Sequence, residues 1–434
     1  MARLLTIVYY FPPWGGGPVL RTLKFVKYLS RMGWHIRVLT VRPEYYEPIS
    51  YDSSLLSQIE PPTQLVRTAS LQPRGRISAA LVGQAIGSTV ASSGLAKAVM
   101  PIARMVHGLL IPDDKVLWIP HAFTRGLRLI TEHRPDAVFV SAPPHSATLL
   151  ALALCMVTRT PLVVDFRDDW VTNPLYDRGL VVRRRLEAAM EAAVVRRAEA
   201  VILPTLPALI SLRARYALSS SRFHLVPNGF DEEDVGNARL VKPLPGSDGG
   251  HGLRCIYAGL LNERRDLSTL LQAMQRIESR TPGAITLSLA GFVPESVVRT
   301  INDLGLQERV ERLGYLSHVD VLRHILSADV ALLVSTAAEG AQTAIPSKLY
   351  EYVACGTHVL GLVDAGATAD MVRENRWGTI CEPSDVGTIE QTLLALLRRK
   401  QIGTLRPDVD RRDIEAYTRR GQAEKLNEIL RGIL

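Results

Sequence analysis

The hydrophobic and polar positions of this chain repeat one pattern along most of its length. A short apolar run is followed by a loop and then by apolar residues at helical spacing. The first run, Leu4-Leu-Thr-Ile-Val-Tyr-Tyr10, reads as a buried strand; it is too short and wrongly flanked for a signal peptide. It enters Phe11-Pro-Pro-Trp-Gly-Gly-Gly17, and a helix is predicted over about 19–32, with Leu20, Leu23, Val26 and Leu29 on one side and Gly33 as its stop. Residues 34–41 form the next predicted strand. Further strands are predicted at 136–141, at the start of 162–170 and at 201–204, with helices over 147–157 and about 181–199 and a closing segment at 223–231.

A linker rich in proline and glycine follows at 241–252, running Lys242-Pro-Leu-Pro-Gly-Ser-Asp-Gly-Gly-His-Gly252. The pattern then starts again, with strands predicted at 253–259, 285–291, 310–315, 328–334 and 358–363 alternating with helices. Two such series imply an α/β chain of two Rossmann-like, doubly wound domains, 1–240 and 253–409. Residues 42–112 are the least regular part. Within them 77–96 is uncharged but rich in Gly, Ser and Thr, so it reads as helical and interfacial or intramolecular, not transmembrane. Arg74, Arg76, Lys97 and Arg104 around it make either a membrane-facing basic patch or part of a helical hairpin.

The clearest local signal is Ile345-Pro-Ser-Lys-Leu-Tyr-Glu-Tyr-Val-Ala-Cys-Gly-Thr357. Pro346 suits a first helical turn and Gly356 the left-handed position after the last one. Lying between the strands at 328–334 and 358–363, this helix makes a βαβ unit whose loop falls at the carboxyl edge of a parallel sheet, where ligands bind. Its N-terminus, Ser347 and Lys348 suit a phosphate, and Glu351 suits the vicinal hydroxyls of a sugar. That order of groups fits a nucleotide sugar; a packing helix with solvated Lys348 and Glu351 is the other reading.

Other candidate residues fall at corresponding loops. Gly15, Gly16 and Gly17 follow the first strand, without the G-x-G-x-x-G spacing of a dinucleotide site. His145 sits where a strand passes into a helix. Asp165, Arg167 and Asp168 crowd a strand end, as a ligand site or an Arg–Asp structural pair. Asn228-Gly229 is a turn. Gly259 would let a phosphate approach the backbone, and Arg264 or Arg265 would clamp a diphosphate. The arginines of 181–199 read as a solvated face.

The stretch Pro346-Ser-Lys-Leu-Tyr-Glu-Tyr352 resembles the nucleotide-sugar motif of the retaining family-4 glycosyltransferases, which have the GT-B fold, and its wording is similar to that of the bacterial cell-surface polysaccharide branch. The resemblance runs over nearly the whole chain, most specifically through 4–40, 136–170, 226–230 and 255–382. It implies two domains facing a cleft, with residues 410–434 packing back on the N-domain. Donor binding falls by resemblance to Gly15, Gly16, Gly17, Asn228, Gly259, Arg264, Arg265, Thr343, Ser347, Lys348 and Glu351. His145, Asp165, Arg167 and Asp168 fall on the acceptor side, and Arg265, Lys348 and His145 are the expected catalytic groups. Two departures stand out. Many members carry a first acid eight residues before the ribose glutamate; here that position is Thr343, and Glu339 is four residues early. The residue after Gly259 is Leu260 where many relatives have arginine, and Arg265 stands where they have lysine.

The implied activity is transfer of a sugar from a nucleotide-diphosphate donor to an acceptor hydroxyl with retention, in polysaccharide or glycolipid assembly. No cofactor beyond the nucleotide-sugar co-substrate is expected, nor an obligatory metal, since no Asp-x-Asp lies in a suitable loop. The alternatives are a nucleotide-sugar epimerase or hydrolase of the same fold, and a non-catalytic, membrane-docked binding protein.

Composition narrows the setting. The 434 residues are 47% hydrophobic and 22% charged, which suits a globular protein with full cores in two domains. Four scattered cysteines at 155, 255, 355 and 381 point to a reducing compartment and against a disulfide framework or zinc site. The protein is expected in the cytoplasm. Its net charge of +8 asks for an anionic partner. With no nucleic-acid motif, peripheral contact with the anionic inner face of the plasma membrane is the expected partner surface, and a lipid-linked or sugar acceptor fits it.

Overall fold

The computed structural model describes residues 2–46, 51–72, 110–173, 181–241, 251–261, 265–334, 341–407 and 411–434. The basic patch proposed around 77–104, Arg264, Glu339 and most of the linker (242–250) lie outside these residues. The chain divides into two compact units, Met1–Pro227 with Gln422–Leu434, and Asn228–Gly421.

The first unit is built on a seven-stranded parallel sheet of order β3-β2-β1-β4-β5-β6-β7. Its strands are β1 (Arg3–Ile7), β2 (His35–Val41), β3 (Gln64–Thr68), β4 (Ala137–Ala142), β5 (Leu162–Phe166), β6 (Ala200–Leu203) and β7 (Phe223–Leu225). Strands buried on both faces read as continuous apolar runs, and β4 and β5 are buried at every residue. Helices α1 (Gly17–Arg31), α2 (Ile119–His133), α3 (Ser146–Thr158), α4 (Val181–Arg197) and α5 (Leu206–Tyr216) connect them. Helix α1 starts two residues before the predicted position because Pro18 fits its first turn. In α2, Gly126 is the contact with α3: a Cβ there would lie 2.6 Å from Leu154 Cδ1.

The second unit carries a six-stranded parallel sheet of order β10-β9-β8-β11-β12-β13. Its strands are β8 (Leu253–Ala258), β9 (Ile285–Ala290), β10 (Val310–Gly314), β11 (Val330–Val334), β12 (His358–Leu362) and β13 (Gly378–Cys381). Around it lie α6 (Glu232–Leu240), α7 (Ser268–Arg280), α8 (Glu295–Asp303), α9 (His318–Ser327), α10 (Lys348–Ala354), α11 (Ala367–Glu374), α12 (Val386–Gln401) and α13 (Arg411–Glu415). Helix α6 precedes the predicted linker yet belongs to this unit, because Val235 and Ala238 are buried with Leu322 and Ile325 of α9. The acid that opens the strand at 328–334 is structural: Asp329 accepts from Arg254 N at 2.8 Å and Lys400 Nζ at 2.7 Å.

The last helix, α14 (Arg419–Ile433), returns the chain to the first unit. Ala423, Leu426 and Leu430 are fully buried with Leu4, Leu20 and Leu23, and Trp34 Nε1 donates to Asn427 Oδ1 at 2.8 Å. The amphipathic tail is thus divided, since Ile414 and Tyr417 pack in the second unit. These are the two doubly wound, Rossmann-like sheets expected of a GT-B fold.

Candidate functional site

In an open parallel sheet the loops that leave adjacent strands in opposite directions open a crevice at the carboxyl edge. In the second unit this switch point lies between β8 and β11. The residues after β8 (Gly259, Arg265) and after β11 (Thr343, Ser347, Lys348) are the sequence-derived candidates, so topology brings them to one edge.

Helix α10 grips the end of β8 through two residues one turn apart. Pairing of β8 with β11 ends at Ile256, which leaves the backbone of Ala258 without that neighbour. Lys348 Nζ donates to Ala258 O at 3.1 Å, and Ala258 N donates to the Tyr352 hydroxyl at 3.1 Å. Lys348 also lies over the Tyr257 ring, 3.8 Å from its centroid. The chain must turn away here without a side chain. Gly259 has φ +135°, and Gly291 (φ +125°) passes so close that a Cβ on it would meet Gly259 O at 2.3 Å. The helix begins at Lys348, one residue after Ser347, and Gly356 (φ +72°) ends it as expected. Gly356 N donates to Val353 O and Thr357 N to Tyr352 O, a Schellman ending.

Cations gather at this edge. Arg265 donates to Leu260 O at 2.9 Å, which also accepts from the Tyr257 hydroxyl. Lys348 is half-buried with its amino group closed in by Ala258 O and Tyr257. Burial, and then the Arg265 guanidinium, push its pKa well below that of an ordinary lysine, while Glu351 opposes them. A dianionic group would relieve both effects.

One turn along α10, Glu351 Oε1 lies 3.8 Å from His318 Nε2, and that same nitrogen lies 3.4 Å from Asp234 Oδ2. Thr343 ends a short 3₁₀ turn, Ala341–Thr343, before Ser347. Asn228 is half-buried at the start of this unit.

The first unit has its own switch point, between β1 and β4. Gly15 is buried there, whereas Gly16 (φ +95°) and Gly17 are exposed at the start of α1. His145 immediately precedes α3 and is buried, its ring stacked on Trp170 at 4.5 Å and 3°. Asp168 is exposed. Asp165, placed on the acceptor side by resemblance, stands in a structural ion pair. Its carboxylate is wholly buried and engaged by Arg21 Nε at 3.0 Å, Arg21 Nη2 at 2.8 Å and Ser141 Oγ at 2.7 Å. The ion pair is made by Arg21; Arg167 instead donates to the carbonyls of Pro18 and Pro143.

Sequence reasoning missed Tyr257, Tyr352, His318 and Asp234. Tyr352 was legible one turn after Lys348 on the same helix. His318 was partly legible, because Ser317 caps α9 and places His318 in a first turn at the sheet's carboxyl edge. Tyr257 and Asp234 meet their partners only through long-range packing. No helix among the described residues is long and apolar enough to cross a membrane.

Known proteins agree with this architecture. The family described as "Glycosyl transferase 4-like domain" matches residues 16–229, and "Glycosyl transferases group 1" matches residues 252–399. No curated protein sequence matches. Among solved structures, the chain is similar to sucrose-phosphate synthase from Thermosynechococcus elongatus, at 14% identity and a TM-score of 0.71 over 100% of this chain and 99% of that one. It is also similar to Anabaena HepE in complex with UDP and glucose, at 15% identity and 0.67 over all of both chains. WaaG, a glycosyltransferase of lipopolysaccharide biosynthesis, is 16% identical with a TM-score of 0.61 over 99% of this chain and 100% of that one. At these identities the likeness shows the fold, while the two family matches take in most of the sequence. The chain belongs to the glycosyl transferases, with a 4-like domain followed by a group 1 domain on a GT-B fold.

Proposed function

We propose that the protein transfers a sugar from a nucleotide-diphosphate donor to an acceptor hydroxyl with retention of configuration, in polysaccharide or glycolipid assembly. The observation that carries this reading is the edge formed by Gly259, Arg265 and Lys348, with Glu351 one turn further on. Lys348 and Arg265 bind the diphosphate and neutralise the charge that grows on it as the glycosidic bond breaks. Glu351 accepts the ribose hydroxyls. The HepE complex with UDP makes uracil the first base to test.

No protein nucleophile is required by this course. The acceptor hydroxyl attacks the face the leaving group departs from, and a diphosphate oxygen takes its proton. Catalysis then rests on positioning and charge, with no obligatory metal. The acceptor is assigned to the first unit near His145, Arg167 and Asp168. A lipid-linked acceptor at the inner face of a membrane fits the net charge of +8.

Thermal melting with UDP, ADP, GDP and CDP tests the donor site. A nucleotide at 100 times its Kd stabilises the native state by about 2.7 kcal/mol. Stabilisation by one nucleotide that disappears in Glu351→Ala supports the reading; no shift at millimolar concentration with any of them overturns it. Proton NMR of the product reports the anomer, and activity surviving a chelator separates this mechanism from a metal-dependent one.

A further inference from the structure

Building on the donor-site reading above, we propose that His318 is a positioning residue that holds the Glu351 carboxylate in its ribose-accepting orientation and is itself anchored by Asp234. A glutamate that accepts two neighbouring hydroxyls must keep both oxygens in one plane, yet three side-chain torsions are open to it. Its neighbour at i−3, Lys348, directs its amino group to Ala258 O and the Tyr257 ring. His318 Nε2 meets Glu351 from outside its helix, at 3.8 Å, with Asp234 Oδ2 behind it at 3.4 Å. The three side chains keep only 14%, 12% and 4% of their surface, in the order Glu351, His318, Asp234.

Both supporting residues are pinned at helix starts. Asp231 caps α6 by accepting from Glu233 N at 2.9 Å and Asp234 N at 3.2 Å, which fixes the first turn that carries Asp234. Ser317 caps α9 by accepting from Asp320 N at 3.2 Å, which fixes the turn that begins with His318. Three separate helices therefore converge on one imidazole nitrogen. Lying at ion-pair distance from both carboxylates, the ring orients Glu351, the more accessible of the two, while Asp234 orients the ring. This is the arrangement in which supporting contacts set the geometry of a ligand-binding group.

The test is isothermal titration of the full chain with UDP, ADP, GDP and CDP and with their 2′,3′-dideoxy counterparts. In the wild type the preferred ribonucleotide binds at least tenfold more tightly than its dideoxy form, a gap of 1.4 kcal/mol. In His318→Leu that preference shrinks below threefold, because ribonucleotide binding weakens while dideoxy binding is unchanged; His318→Gln, which restores an N–H donor, recovers most of it. An intact preference in His318→Leu overturns the proposal, as does equal weakening of both forms, which is what a merely structural role produces. A wild type that binds no nucleotide, or binds both forms alike, overturns the donor-site reading itself, and with it this proposal, before any variant is made.

Discussion

Removing Asp165 tests whether the first unit depends on a buried ion pair. Arg21 is 1% exposed and Asp165 is not exposed at all, and the guanidinium also donates to Pro227 O at 2.7 Å and Val226 O at 2.8 Å. In Asp165→Leu the arginine keeps its carbonyl partners but loses its counter-charge in a site closed to water, which costs about 3–5 kcal/mol. Against a total stability of about 5–15 kcal/mol this is a large share. For a unit of this size each kcal/mol moves the melting temperature by roughly 2–4 °C, so the first unit's transition falls by roughly 6–20 °C. Arg21→Met is comparably damaging, since Asp165 is then left with Ser141. The double variant Arg21→Met/Asp165→Leu recovers a large part of the loss, giving a coupling of about 2 kcal/mol or more. Differential scanning calorimetry and urea unfolding measure all four proteins, with the second unit's transition as the internal reference. A single variant that costs less than about 1 kcal/mol, or a double variant no better than the sum of the singles, refutes the reasoning.

Three further outcomes follow from the geometry. A bound diphosphate raises the lowered pKa of Lys348, so binding takes up protons, and affinity falls as pH rises between the free and bound pKa values. Calorimetry in buffers of different ionisation enthalpy detects the uptake, which Lys348→Met abolishes. Gly291→Ala costs about 3 kcal/mol or more in thermal melting, because strain at φ +125° is joined by the clash with Gly259 O; Gly305→Ala, at φ +68° with open space around it, costs only about 1–2 kcal/mol. Cys155, Cys255 and Cys355 are buried with their pKa values pushed up to about 12, so a thiol reagent at pH 8 labels none of them until the protein unfolds.

Central strands such as β4, β5, β11 and β12 were legible because full burial on two faces leaves unbroken apolar runs, and the ends of α10 because Pro346 and Gly356 have few other uses. What failed to show was either weakly patterned or non-local. Edge strand β3 is only partly buried along most of its length, so it has no apolar run to read. At the site, Lys348, Glu351 and Gly259 could be placed from local rules. Their partners could not, because Arg21 meets Asp165 across 144 positions and Lys348 meets Ala258 across 90. The arginine nearest in sequence, Arg167, was the natural partner for Asp165 by spacing, and tertiary packing chose another.

The return of α14 to the first unit bears on how the protein is made. Ala423, Leu426 and Leu430 fill a place in that unit's core beside residues such as Leu4 and Leu20. A ribosome adding about 5–20 residues each second needs roughly 10–40 s to travel from Pro227 to Gln422. For that interval the nascent first unit carries an uncovered apolar strip along its α1 side, while the second unit is synthesised and can fold in between. Premature stops after Gly421 would therefore leave the second unit intact and the first one sticky, a form that protein quality control would meet as a half-finished domain.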